Sequence, residues 1–170
     1  MFALLFSVKI GKVDAGFAFA FAGSGCYFDR ILATKMSDEE KQMWADKILA
    51  GAMGTFCLTE PEAGSDAAAL KTTAVYDEKT DEWIINGTKA FITNSGTDVT
   101  GLVTVTAVTG TTDAGKKQIS AIIVPSGTPG FTVSKKYSKV GWNASDSREL
   151  SFADCRVPVE NLVGNENDGF

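Results

Sequence analysis

From position 56 to 66 the chain reads Phe-Cys-Leu-Thr-Glu-Pro-Glu-Ala-Gly-Ser-Asp, gathering a thiol, two hydroxyls and three carboxylates in one short stretch. Gly64 frees the backbone for close approach to a ligand, and Ser65 sets a hydroxyl beside main-chain amides, a combination that can receive a phosphate. The same residues support a plainer account, in which Ser65 or Asp66 caps a short turn over Ala67-Ala68-Ala69. Glu60, Glu62 and Asp66 would repel an anion unless they point away, and closeness in sequence does not make them a general acid–base pair. A second stretch, Phe91-Ile92-Thr93-Asn94-Ser95-Gly96, puts an aromatic ring and a hydroxyl on one side of a strand that ends in a turn. Such a pair can stack on a planar ring and donate a hydrogen bond at its edge, or it can be an ordinary amphipathic strand end. The third stretch, Gly141-Trp142-Asn143-Ala144-Ser145-Asp146-Ser147-Arg148-Glu149-Leu150, suits an interface, an ion-pair network or a solvated loop.

Composition narrows the chemistry further. The 170 residues include no histidine. That removes Ser-His-Asp and Cys-His nucleophile systems, imidazole proton transfer near neutral pH, and histidine-ligated metals. Cys26, Cys57 and Cys155 are odd in number and irregularly spaced, so they predict no disulfide framework, and no Cys-x-x-Cys pair suggests zinc. Any catalysis must therefore use carboxylates, hydroxyls, lysines or a cofactor with chemistry of its own. With 16 Lys+Arg against 21 Asp+Glu, the net charge of −5 argues against a nucleic-acid surface, which needs clustered cations. No segment approaches the ~20 apolar residues of a membrane-spanning helix. Met1 to Phe6 looks faintly like an export signal, but Lys9, Lys12 and Asp14 follow, so targeting is not supported. Reduced cysteines without an export signal suggest the cytoplasm, or the mitochondrial matrix in a eukaryote.

Two kinds of element must hold these groups. The first fifty or so residues read as helical. Ser37-Asp38-Glu39-Glu40 is a capping-box pattern, Met43, Trp44, Ile48 and Leu49 recur at helical spacing, and Gly51 is a plausible stop. Phe17, Phe19 and Phe21 alternate with alanine, which by period suggests a strand and by composition a buried helix; the run alone leaves both open. From about Thr55 the pattern turns to short strands. Leu70 to Tyr76 and Trp83-Ile84-Ile85 flank a hairpin turn, and Asn86-Gly87 marks another tight turn. Leu102 to Val108 and Ile119 to Val124 are β-branched runs, and Phe131-Thr132-Val133 and Leu150-Ser151-Phe152 complete the count. The expected fold is α+β, a short helical N-terminal segment packed on a mostly antiparallel β-barrel or sandwich.

The three stretches, in this order and spacing, resemble the acyl-CoA dehydrogenase family of flavoenzymes. Thr59-Glu60-Pro61 with Gly64-Ser65-Asp66 is similar to the family's Thr-Glu-Pro-x-Ala-Gly-Ser-Asp signature, and Asn86-Gly87-x-Lys89 followed by Phe91-Ile92-Thr93-Asn94 to its Asn-Gly-x-Lys-x-[Trp/Phe]-Ile-Thr-Asn segment. Pro129-Gly130-Phe131, Gly141-Trp142, Ser145-Asp146-Ser147 and Glu149-Leu150-x-Phe152-x-Asp154-x-Arg156-Val157-Pro158 follow, ending in Asn161-Leu162-Val163-Gly164. Upstream, Ile10 to Ala15 and the capped helix fit the end of a helical domain. Asn143 stands where many members carry arginine, and Phe91 where many carry tryptophan, an accepted variant that preserves stacking with less area.

The resemblance implies a partial helical domain over residues 1–54, a middle β-barrel domain over 55–165, and the start of a further helical domain at 166–170. It favours helix for the run from Phe17 to Phe21. It implies an FAD site on Phe56, Cys57, Leu58, Thr59, Gly64, Ser65, Phe91, Ile92 and Thr93. Leu58 and Thr59 would serve the flavin's pyrimidine edge, Phe91 would lie against the isoalloxazine, and Thr93 would reach the nitrogen that accepts hydride. Ser65 would contact the phosphate region or the CoA portion of an acyl-CoA substrate. In the family a glutamate from the following helical domain removes the α-proton, and no carboxylate here matches it, so no catalytic residue and no metal ligand is assigned. The implied partners are acyl-CoA, electron-transfer flavoprotein and further copies in a homo-oligomer. As a fragment the chain is expected to lack turnover and to retain FAD weakly, because a half-built pocket leaves most of a ligand exposed. The alternatives are a flavin monooxygenase or oxidase on the same fold, and a non-catalytic β-domain used for binding or assembly.

Overall fold

The computed structural model describes residues 8–23 and 27–169; Met1 to Phe6, Cys26, Phe170 and the side chain of Phe21, all considered above, lie outside the described residues. Helix α1 (Ala15–Gly23) settles the phenylalanine run as helical. Its start is fixed by Asp14, whose Oδ1 accepts the amide of Phe17 at 2.8 Å, a side-chain cap that a strand would not need. Helix α2 (Tyr27–Leu32) follows, then α3 (Asp38–Leu49). The capping box of α3 is complete: Ser37 Oγ accepts the Glu40 amide at 3.2 Å, and Glu40 Oε2 accepts the Ser37 amide at 2.9 Å. Of its large apolar residues, Trp44 and Ile48 join Ile31, Met36, Leu102 and Ile123 in a small core, whereas Met43 and Leu49 face solvent. Gly51, at φ 101°, supplies the left-handed residue that ends the helix.

Eight strands form one sheet: β1 (Met53–Cys57), β2 (Thr73–Asp77), β3 (Glu82–Thr93), β4 (Thr100–Thr111), β5 (Lys117–Pro125), β6 (Phe131–Val133), β7 (Ser147–Pro158) and β8 (Leu162–Val163). The order is β6-β7-β3-β2-β4-β5-β8, with β1 running parallel to β4 on a side branch. Most pairs are antiparallel, as expected, but β6 and β8 do not pair, so the sheet is open rather than a closed barrel. β4 and β5 are each buried over six consecutive residues, because both of their faces are covered. Val103, Val105, Ile122 and Val124 enter the main core with Trp83, Ile85, Leu150 and Phe152, while Leu102 and Ile123 meet the helices on the other face.

The expected hairpin is present, with Tyr76 opposite Trp83. Asn86-Gly87, however, is not a turn. It lies inside β3 at a register shift against β7, where Ile85 opposes Cys155 and Gly87 opposes Phe152. The extra residue on β7 lets Phe152 and Cys155, three apart, both face the core. Asn86 seals the irregularity by accepting the Asp154 amide at 2.8 Å and donating to its carboxylate at 3.1 Å. Among the described residues, no helix is long and apolar enough to cross a membrane.

Candidate functional site

β1 ends at Cys57, and the next two residues leave the sheet alongside the end of β3. Thr55 Oγ1 donates to the Thr93 carbonyl at 2.5 Å, and the Ala90 amide donates to the Thr59 carbonyl at 2.9 Å. These two ties bring the stretches read separately in the sequence to one cleft of about 310 Å³. Phe56, Leu58, Thr59, Phe91, Ile92 and Thr93 all line it, so Thr59 and Thr93 share one cavity. Phe19, Thr55 and Asn94 complete the lining, and the sequence reading had singled out none of the three for the site. Among the described residues, no side chain of this lining is an acid or a base.

The other residues of the expected set lie elsewhere. The Cys57 side chain is fully buried in the main core, where burial pushes its thiol far up. Its carbonyl is taken by Thr106 Oγ1 at 3.1 Å. Gly64 and Ser65 are exposed and do not line the cleft. Asp66 stands at the N-terminus of a short 3₁₀ turn (Ala67–Ala69) without a side-chain cap bond. Ile92 reaches the cleft while its side chain stays in the core, 3% exposed.

Phe91 owes its position to its backbone. At φ 58° it adopts a left-handed conformation unusual for an aromatic residue, beside a break in the β3–β7 register between Lys89 and Ile92. The irregularity turns the ring outward, where it is 67% exposed and leans on Tyr137 at 5.2 Å between centroids. On the opposite wall, the Arg30 guanidinium sits 4.2 Å above the Phe56 ring. α1 borders the same cleft through Phe19, whose ring meets Trp142 at 5.3 Å. Trp142 belongs to the third stretch, where Asp146 also grips Arg148 through two contacts of 2.8 and 3.1 Å. That stretch is thus both an ion pair and a contact with α1.

Beneath the cleft lies a buried ion pair. Lys89 is fully buried, and its ammonium donates to Glu60 Oε1 at 2.8 Å, to the Leu58 carbonyl at 3.1 Å and to Thr106 Oγ1 at 3.3 Å. Glu60 also accepts the amides of Lys71 at 2.7 Å and Thr72 at 3.0 Å. Burial pushes the Glu60 carboxyl up, but the Lys89 ammonium and these amides outweigh it and hold it below its ordinary value. Burial lowers Lys89, and Glu60 restores part of the loss. With Glu60 turned inward and Glu62 paired to Lys71, two of the three carboxylates that would repel an anion are neutralised. In the sequence Lys89 stands within the Asn-Gly-x-Lys pattern and carries no assigned role of its own. Its signal was available: a lysine at an inward strand position between Ile85 and Ile92 requires a buried carboxylate partner.

The geometry can be set beside known proteins. Residues 55–155 match the family model described as acyl-CoA dehydrogenase, middle domain. The acryloyl-CoA reductase (NADH) of Anaerotignum propionicum is 47% identical over 133 residues, which are 78% of this chain and 33% of that protein. The solved structure of butyryl-CoA dehydrogenase from Megasphaera elsdenii matches with a TM-score of 0.79 at 37% identity, covering 92% of this chain and 40% of that one. An acyl-CoA dehydrogenase complexed with FAD from Bacillus anthracis matches with a TM-score of 0.76 at 30% identity, covering 91% and 25%. The chain spans about a third of the length of the curated relative.

Proposed function

The chain belongs to the acyl-CoA dehydrogenase family, and from that premise we propose that the cleft between β1 and β3 holds the isoalloxazine of FAD. The donor set fits such a group. Among the described residues, the hydroxyls of Thr59 and Thr93 make no hydrogen bond of their own and border a space lined by the Phe56 and Phe91 rings. A flavin offers a flat apolar surface with polar atoms along its edges, which suits aromatic walls with hydroxyls at the rim. The observation that carries the reading is that Thr59 and Thr93, far apart in sequence, share this one cleft.

When bound, FAD would supply the two-electron acceptor for α,β-dehydrogenation of an acyl-CoA thioester. Phe91 stacks and fixes the plane, Thr59 and Thr93 donate at the edges, and Phe19 and Phe56 exclude water. Among the described residues this lining offers no acid or base, so the group that would take the α-proton would have to come from elsewhere. Ser65, exposed and outside the cleft lining, would serve a phosphate of the cofactor or of CoA rather than the flavin ring. On this reading residues 1–54 are part of a helical domain, 55–165 the middle domain and 166–170 the beginning of another. Electron-transfer flavoprotein and further copies of the chain are the proposed partners, in the cytoplasm or a mitochondrial matrix.

An NMR titration of the ¹⁵N-labelled protein with FAD tests this, since it reads weak binding as well as strong. Amide shifts are expected at Phe56, Thr59, Phe91 and Thr93, and Phe91→Ala should abolish them. Saturable shifts confined to other segments, or none, would overturn the reading. Acyl-CoA-dependent bleaching of the flavin without oxygen uptake, in the natural full-length protein, separates a dehydrogenase from an oxidase or monooxygenase.

A further inference from the structure

We propose that Lys89 is the positioning residue of the flavin cleft: from below, its ammonium holds the main chain of residues 57–60 at the height where Thr59 can meet a ligand. This inference rests on the flavin reading for its consequence, though not for its geometry. Three consecutive carbonyls are tied by one cluster. The Cys57 carbonyl accepts from Thr106 Oγ1 at 3.1 Å, the Leu58 carbonyl from Lys89 at 3.1 Å, and the Thr59 carbonyl from the Ala90 amide at 2.9 Å. Lys89 Nζ also contacts Thr106 Oγ1 at 3.3 Å, so the first two ties are one unit. All three ammonium protons are used, and water does not compete, because the Lys89 side chain has no accessible surface.

Glu60 anchors the far end of the same segment. Its two oxygens take the Lys89 ammonium and the amides of Lys71 and Thr72, which pins residues 58–60 between β3 and the start of β2. Leu58 and Thr59 belong to no strand, so no ladder holds them in place. A flexible rim would bind a planar ligand poorly, since the hydroxyl must lie within hydrogen-bond reach of one edge atom. A buried point charge with three fixed partners is a means of making two irregular residues rigid. Lys89 does not itself line the cleft; its ammonium acts through the Leu58 carbonyl, Glu60 and Thr106.

The test uses the whole chain with two variants, Lys89→Met/Glu60→Gln and Thr106→Val. The double variant removes both charges together, so no uncompensated charge is left in the core. The nearly isosteric Thr106→Val removes the tie to the Cys57 carbonyl together with one of the three ammonium contacts of Lys89, and serves if the double variant does not fold. Backbone hydrogen exchange without ligand is expected to quicken about tenfold at residues 58–60 in the double variant, and less in Thr106→Val, with β4 and β5 unchanged. The FAD dissociation constant is expected to rise about tenfold in parallel. Unchanged protection at 58–60 in a folded variant overturns the proposal, as does quickened exchange with unchanged FAD affinity. If the unaltered chain shows no FAD binding at all, the flavin reading fails, and the exchange measurement still decides whether Lys89 sets the segment.

Discussion

Gly87→Ala isolates one consequence of the β3 irregularity at Asn86-Gly87. Gly87 has φ 150°, and a Cβ placed there would lie 2.4 Å from Thr72 Oγ1 and 2.7 Å from Thr72 Cα. The second contact is with backbone, so a side-chain rotation cannot relieve it, and Thr72 is itself 1% exposed. The backbone conformation costs about 1–3 kcal/mol for a residue with a Cβ, and overpacking adds about 1–3 kcal/mol. A destabilisation of ~2–6 kcal/mol is a large share of the ~5–15 kcal/mol that holds a domain folded. At about 2–4 °C per kcal/mol for a chain of this size, the melting temperature should fall by roughly 10 °C. Displacing Thr72 also draws its amide away from Glu60 Oε1, so the damage should reach the loop that carries Thr59. Urea unfolding followed by the fluorescence of buried Trp83 measures the loss. Gly64→Ala, with nothing within 4 Å and no positive φ, is the control and should stay within about 0.5 kcal/mol. A Gly87→Ala loss below about 1 kcal/mol would refute the close approach of β3 to Thr72 and with it the bulge geometry described here.

Three other outcomes follow from the same contacts. Glu60 is held below its ordinary carboxyl value in the folded state, so its stabilisation is complete above the unfolded value of about 4.3 and is lost as pH falls through the folded value. Urea midpoints collected from neutral to acid pH should therefore fall less steeply for Glu60→Gln than for the unaltered chain, and equal slopes would contradict the buried pair. Burial removes Cys57 and Cys155 from reaction, with the Cys155 thiol pushed up to about 11. Alkylation read by peptide mass spectrometry should label both only after unfolding. Ser37→Ala removes the side-chain half of the α3 capping box and should cost about 1 kcal/mol by chemical denaturation.

Much of the frame was readable before any coordinates. The capping box from Ser37 to Glu40 begins a helix because side-chain acceptors answer free amides within one turn, a purely local requirement. The hairpin between Tyr76 and Trp83 and the apolar runs of β4 and β5 are likewise local patterns. Asn86-Gly87 misled because two residues that suit a tight turn can also lie in a strand opposite a bulge, here on β7, and only the partner strand distinguishes the two. The phenylalanine run left strand and helix open by its period, and the Asp14 cap on the Phe17 amide, three positions upstream, belongs to the helix it forms.

What the sequence by itself determined was chemical type: no imidazole, stretches that pair hydroxyls with an aromatic ring, and strands enough to carry them. Tertiary structure alone decided which of these groups meet. Thr55 reaches the Thr93 carbonyl across 38 positions, and Lys89 reaches Glu60 across 29. Those distances close only once β1, β3 and β4 have taken their registers and the bulges have shifted them. Phe91 shows the same division. Its ring type is written in the chain, but its outward aim comes from a left-handed backbone that an isolated strand would not adopt. Local free energy selects elements, whereas the site exists where long-range pairing brings their ends together, and no window of adjacent residues contains that information.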